Sequence, residues 1–250
     1  MVLGRFGGGC RRAADRVDHP GRRRAGRRST DDRMAEPRVD SMSMTTVPAS
    51  PACDHRGMGE TIVLPAQSPR RTELEALGWT VVARSFGAQL DAERIDEQRL
   101  RALVVGAPGS VRALAAADVD AVLALDRATI GDYPGSVATQ HEPLDRAGAT
   151  PSAARRAFGA FLTDGELVAM TFVSVDGAEA ETDFTVVDRA QRGRGLGVAV
   201  KAASVLALSA AGVTRFRTGG SADNAAIQRA NVALGYVRDE EWVTLGRVGG

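Results

Sequence analysis

From residue 61 onward, apolar and polar positions follow two different rhythms. Runs of β-branched and aromatic residues, Thr61-Ile62-Val63-Leu64 and Trp79-Thr80-Val81-Val82-Ala83, predict strands, with a short helix over 72–77 between them. A connecting helix is predicted over 93–104, and Gly106-Ala107-Pro108-Gly109 reads as a linker. A strand over 111–115 then precedes a helix over about 116–128, where Asp118, Val119, Val122, Leu123 and Leu125 recur at helical spacing. Next come a loop with Pro134 and Gly135, a short helix near 151–156, and strands at 157–163, 167–175 and 179–188. Asp164-Gly165 and Asp176-Gly177 stand where hairpin turns are needed. The remainder alternates as helix 197–211, strand 213–218, helix 223–234 and strand 236–246. A meander followed by alternating helices and strands predicts an α/β chain with a mixed, mostly antiparallel central sheet and helices on both faces. Helix 197–211 is apolar nearly all round, which predicts burial against the sheet.

Composition changes the picture mainly at the N-terminus. The formal net charge is only +1, and an apolar share of 44% supports a real core. Residues 1–60, however, concentrate arginine at Arg11-Arg12, Arg22-Arg23-Arg24 and Arg27-Arg28 among Gly, Pro, Ser and Asp. Such a stretch buries too little to fold, so a disordered Arg-rich tail is expected. It reads either as a start assigned too early, with Met34, Met42, Met44 or Met58 as the true one, or as a nucleic-acid contact, the less favoured alternative. Both cysteines, Cys10 and Cys53, fall in this tail, leaving the rest with no disulfide framework and no cysteine nucleophile. No metal site is expected. No apolar run is long enough to span a membrane, and no signal segment follows the basic residues, so a cytoplasmic location is the simplest expectation.

Three segments follow: 1–60 as tail, 61–107 as a short accessory piece, and 108–250 as the main domain. Within the accessory piece, Glu75-Ala76-Leu77-Gly78-Trp79 echoes Val232-Ala233-Leu234-Gly235-Tyr236, each a helix end, a glycine and an aromatic strand start. The echo is either a remnant of a first half in a tandem arrangement or a coincidence of helix-glycine-strand joints.

Chemistry concentrates at Arg192-Gly193-Arg194-Gly195-Leu196-Gly197, which joins a predicted strand to a predicted helix. Glycines there allow a ligand to approach the backbone closely, and the first amides of the helix carry partial positive charge, so the joint is an anion cradle. The dinucleotide fingerprint fails, because Val198 or Val200 stands where its third glycine belongs. A phosphate loop fails too, because no Gly-Lys-Ser/Thr follows.

What remains is R-x-x-G-x-G, met by Arg192, Gly195 and Gly197. With the ending Asn224 to Tyr236 and the opening Val111-Arg112-Ala113-Leu114, residues from about 108 to 248 resemble the GNAT (GCN5-related N-acetyltransferase) superfamily. The resemblance implies a GNAT-like sheet and acetyl-coenzyme A as co-substrate. It implies that Thr185, Val186 and Val187 pair with the pantetheine arm, that the Val187 amide faces the thioester oxygen, and that amides 194–198 take the diphosphate. Arg192, Gly193, Arg194, Gly195, Leu196, Gly197 and Val198 thus form the expected cofactor loop, with Asn224 and Asn231 as further contacts. Asn224 reads equally as a helix cap.

A base would come from the strand, where Glu181, Asp183, Thr185 and Val187 are expected to share one face, so Asp183 and Glu181 are the candidates. His141 is a second possibility. Asn231 holds the place where relatives carry an acidic tyrosine, and an amide donates a hydrogen bond without releasing a proton. Asp132, Tyr133 and Glu142 could recognise a cationic acceptor. The expected activity is acetyl transfer from acetyl-coenzyme A to a primary amine of a small molecule, by direct attack in a ternary complex. The alternative is a non-catalytic acyl-coenzyme A sensor.

Overall fold

The computed structural model describes residues 60–132, 139 and 141–247. The arginine clusters, both cysteines, the alternative starts, and Tyr133, Pro134 and Gly135 lie outside the described residues.

Eight strands form one sheet: β1 (Thr61–Pro65), β2 (Thr80–Asp91), β3 (Ser110–Ala113), β4 (Arg155–Phe161), β5 (Leu167–Asp176), β6 (Glu179–Val187), β7 (Arg215–Ser221) and β8 (Val237–Gly246). Their spatial order is β1-β8-β2-β7-β6-β5-β4-β3. Every neighbouring pair is antiparallel except β6 and β7. The helices are α1 (Pro69–Ala76), α2 (Glu97–Val105), α3 (Val119–Thr129), α4 (Arg146–Ala149), α5 (Leu196–Ala210) and α6 (Ala225–Leu234). The mixed, mostly antiparallel α/β sheet with flanking helices that the pattern predicts is therefore the one that forms.

Helix α5 packs against β3, β4, β5 and β6 and against α2 and α6. Its Leu196, Ala199, Val200, Ala202, Val205 and Leu208 are all buried, as its unbroken apolar sequence requires. Two local expectations differ. The helix placed near 151–156 is instead α4, ending at Ala149, with β4 already under way at Arg155. Strand β2 runs on to Asp91, well beyond Ala83. Its pairing with β8 shifts register between Val81 and Ala83 and again between Gly87 and Ala88, so its side chains lose the two-residue alternation that marks a strand in sequence.

Residues 61–107 contribute β1 and β2 to the same sheet, with β2 lying between β7 and β8. Leu64, Leu74 and Trp79 pack there with Val243 and Leu245. The echoing segments share a geometry: Gly78 (φ 85°) links α1 to β2, and Gly235 (φ 90°) links α6 to β8. The strands that follow the two glycines are antiparallel neighbours.

Candidate functional site

The parallel contact between β6 and β7 lasts only from Glu179↔Arg215 to Glu181↔Arg217. Beyond that point β6 stays paired with β5 as far as Val187, and β7 stays paired with β2 as far as Ser221. The facing edges of the two strands are therefore open, and their peptide groups call for an extended partner. A β-bulge accounts for the divergence. Thr182 pairs with Val173 and Phe184 with Phe172, so Asp183 is an extra residue in β6, two positions beyond the strand's last contact with β7 at Glu181. A bulge bends its strand and increases twist, which swings the rest of β6 away.

The bulge also corrects the expected face. Asp183 does not alternate cleanly with Thr185 and Val187. Phe184 joins it instead, with the Arg155 guanidinium 6.0 Å from the Phe184 ring and 4.7 Å from that of Phe172. Thr185 turns the other way, its hydroxyl 2.8 Å from that of Thr171.

At the end of β6 the chain passes through Gly193 (φ 78°) and Gly195 (φ 80°) into α5. These left-handed positions favour glycine and let the helix begin immediately after the turn. Ala199 is the first amide here to be satisfied, donating to the Gly195 carbonyl at 3.0 Å. Among the described residues, no carbonyl or side chain accepts from amides 194–198. They border a cavity of about 460 Å³ lined by Val187, Gln191, Arg192, Gly193, Gly195, Leu196, Gly197 and Val198, with Ala226, Arg229, Ala230 and Ala233 of α6 opposite. Arg194 lines an adjoining cavity of about 230 Å³ that shares Gly195, Val198 and Ala233. Free amides, a helix N-terminus and small residues opposite make a cradle for a doubly charged anion.

The expected residues divide into those brought to this cavity and those set elsewhere. Val187 and most of the loop line it, and Thr185 and Val186 lie on the open edge of β6. The Arg192 side chain is turned to Asp132 (2.5 Å) and to the Val187 carbonyl (3.2 Å), so it braces the loop rather than filling the cradle. Arg189 also pairs with Asp132, and the two guanidiniums, that of Arg189 foremost, hold the Asp132 carboxyl below the usual carboxylate range. Asp132 is thus committed to these arginines and is not a free acid for a cationic acceptor. Arg194 donates to Gln191. Asn224 caps α6, accepting from the Ile227 amide at 3.1 Å.

Asn231 is buried, and its Oδ1 accepts from Lys201 at 2.8 Å. Glu142 is exposed.

The carboxylate of Asp183 is held by Arg155 Nε and by Ser174 Oγ, both at 2.7 Å. It stabilises the bulge, and both of its oxygens are engaged. Glu181 is half-buried, opposite Ser174. His141 has a different setting. Its Nε2 lies 2.7 Å from Asp126 Oδ1, whose other oxygen accepts from the Leu144 amide at 2.8 Å. Its ring stacks on Phe184 with centroids 4.0 Å apart. A buried carboxylate thus orients an imidazole against the strand that carries the bulge.

Two residues escaped the sequence reading. Arg229 reaches the cradle from α6, exposed and without an ion-pair partner among the described residues. The spacing of Ala226, Arg229, Ala230 and Ala233 places them on one helix face, a signal available in the sequence. Lys201 is fully buried beside Asn231, a fact of packing that no local pattern announces.

Set against solved structures, the overall fold has counterparts. The chain superposes on a GCN5-related N-acetyltransferase from Sphaerobacter thermophilus with a TM-score of 0.56 at 16% identity, covering 77% of this chain and 61% of that one. The fold is that of the GNAT superfamily. A GCN5-related N-acetyltransferase from Kribbella flavida gives a TM-score of 0.53 at 21% identity, over 76% of this chain and 68% of that one. A tandem GNAT protein from the clavulanic acid biosynthesis pathway gives 0.51 at 24% identity, over 76% and 63%. The chain thus spans about two thirds of the length of these GNAT proteins. No family model matches the sequence, and a search of curated proteins found no match. Among the described residues, no helix is long and apolar enough to cross a membrane.

Proposed function

We propose that this chain is an N-acyltransferase that moves an acetyl group from acetyl-coenzyme A to a primary amine, with a small molecule as acceptor. The observation that carries the reading is the joining of two open features: the unpaired edges of β6 and β7 lead to the unsatisfied amides at 194–198. An amide-bearing arm ending in a diphosphate matches both, since the arm adds as a strand and the diphosphate meets the helix N-terminus. The same reading takes residues 61–105 as what remains of a first GNAT-like half, and places the protein in the cytoplasm.

Transfer requires a polarised thioester, a deprotonated amine and a stabilised thiolate. The Val187 amide, at the end of the open edge, is assigned to the thioester oxygen. For the base, Glu181 and the Asp126-oriented His141 are favoured over Asp183, whose oxygens are engaged. Loss of a general base typically costs about 10²–10⁴ in rate. A thiol-release assay against a broad amine library tests the reading. Turnover with at least one amine, and a kcat at least about 100-fold lower in His141→Ala if that imidazole is the base, are the expected results. Turnover in His141→Ala equal to wild type would pass the role to Glu181.

A sensor that binds acyl-coenzyme A without turnover is the second reading, favoured by the occupied Asp183 and by Asn231 in place of an acidic tyrosine. Coenzyme A binding with no thiol release from any amine would establish it.

A further inference from the structure

Helix α2 and the chain that leaves it precede the stretch that resembles the superfamily, yet they are built into the cradle. The helix packs along α5. Its Leu100 is buried, and Leu103 and Val104 lie against the main core. Two contacts fix the chain beyond it. Ala107 packs against the cluster of Val187, Leu196 and Val200, which joins the end of β6 to the first turns of α5. Gly109 (φ 81°) passes so close to β4 that a Cβ there would run into the Phe161 carbonyl, so only glycine lets the chain lie this near. What reads as a linker in the sequence is therefore pinned beside the glycine loop.

Between the two stands the cavity of about 230 Å³. The α2 side gives Ala102, Leu103, Gly106 and Ala107, and the opposite side Val198 and Ala233. All are apolar and most are small. Arg194 is exposed and is the one charged residue of this lining. Gly195, Val198 and Ala233 also line the cradle, so the two cavities meet at the amides assigned to the diphosphate. They diverge from there. Val187, Gln191 and Arg192 line only the first, on the side of the open β6 edge, whereas Arg194 and the α2 residues line only the second. A carrier whose arm lies along β6 and whose diphosphate rests on these amides thus delivers the group on its second phosphate to the cavity beside α2.

We infer that α2 and the following residues complete the donor site: Ala102, Leu103, Gly106 and Ala107, with Arg194, hold the adenine ring of the carrier and select a nucleotide-borne acyl group over one carried on the phosphopantetheine arm of a protein. A flat aromatic ring covers methyl groups with one face and offers the other to a planar guanidinium. A protein-borne arm would instead bring peptide groups to this place, whose hydrogen bonds the apolar lining does not meet. Because Ala107 and Gly109 fix the wall in advance, the ring enters a formed pocket and little ordering opposes binding.

This inference rests on the coenzyme A reading, and the experiment separates the two. The full chain is titrated with coenzyme A and with pantetheine 4′-diphosphate, which keeps the arm and both phosphates but lacks the nucleoside. Wild type should bind coenzyme A about tenfold more tightly, as expected for one stacked base. In Ala102→Trp, whose indole occupies the cavity from an exposed position on α2, that preference should vanish, while affinity for pantetheine 4′-diphosphate stays within about twofold because the cradle is untouched. Backbone amide resonances of wild type cover the case in which the variant does not fold: coenzyme A should shift Ala102, Leu103, Gly106 and Ala107, and pantetheine 4′-diphosphate should leave them in place. Equal affinity of wild type for the two ligands, an unchanged preference in Ala102→Trp, or α2 resonances that stay still while coenzyme A binds would overturn the inference alone. Failure of folded wild type to bind either ligand would overturn the coenzyme A reading with it.

Discussion

At the scale of single residues, Gly195, Arg229 and Lys201 each carry a separate demand. Gly195 has φ 80° and open space where a Cβ would project, so Gly195→Ala meets backbone strain and no clash. Strain of about 1–2 kcal/mol is expected, read as a lower urea midpoint, together with weaker coenzyme A binding as the loop shifts. Arg229→Ala separates affinity from folding: the exposed side chain leaves without a cavity, so stability should change by less than about 0.5 kcal/mol. Coenzyme A affinity should fall about tenfold at low ionic strength and less in high salt, where screening already weakens the contact. Lys201 makes a prediction about pH. Its amine titrates near 7 when folded and at its usual 10.5 when unfolded. Between those values the unfolded chain holds more protons, so stability rises with pH. Wild type should gain stability from pH 7 to 9, and Lys201→Met should show a flatter profile; parallel profiles would contradict the burial of a neutral amine.

At the scale of elements, the bulge at Asp183 decides whether there is a site. Asp183→Ala removes the partner of Arg155 and of Ser174, and unpairing a buried ion pair typically costs several kcal/mol. Because Arg155 keeps 28% of its side chain exposed, about 2–3 kcal/mol is expected here, with loss of coenzyme A affinity as the split relaxes. Legibility in the sequence divides along the same line. The glycine loop could be read because its requirements are local: left-handed backbone and a following helix. The bulge could not, since it exists only as a mismatch between β5 and β6. The length of β2 was hidden for the same reason, its alternation broken at Ala83 and Ala88 by pairing with β8. The ion pairs of Asp183 and Asp132 join positions 28 and 57 or 60 residues apart, and only the fold brings those partners together. Lys201 and Arg229 differ again. Helical spacing puts Arg229 beside Ala226 and Ala233, whereas the burial of Lys201 depends on β7 and α6 closing over α5.

At the scale of the whole molecule, strands far apart in sequence converge to hold the split open. β5 holds one side and β2 the other, so a strand from residues 80–91 supports a site whose motif begins a hundred residues later. The central claim is that amides 194–198 grip the diphosphate of a thioester carrier. It is tested most directly by following backbone amide resonances of the labelled protein during titration with coenzyme A, and separately with pantetheine, which lacks the diphosphate. Coenzyme A should move the amides of Gly193 through Val198 together, to saturation, and pantetheine should leave them in place. Binding that moves other amides but spares this loop, or no binding by the folded protein, would contradict the account.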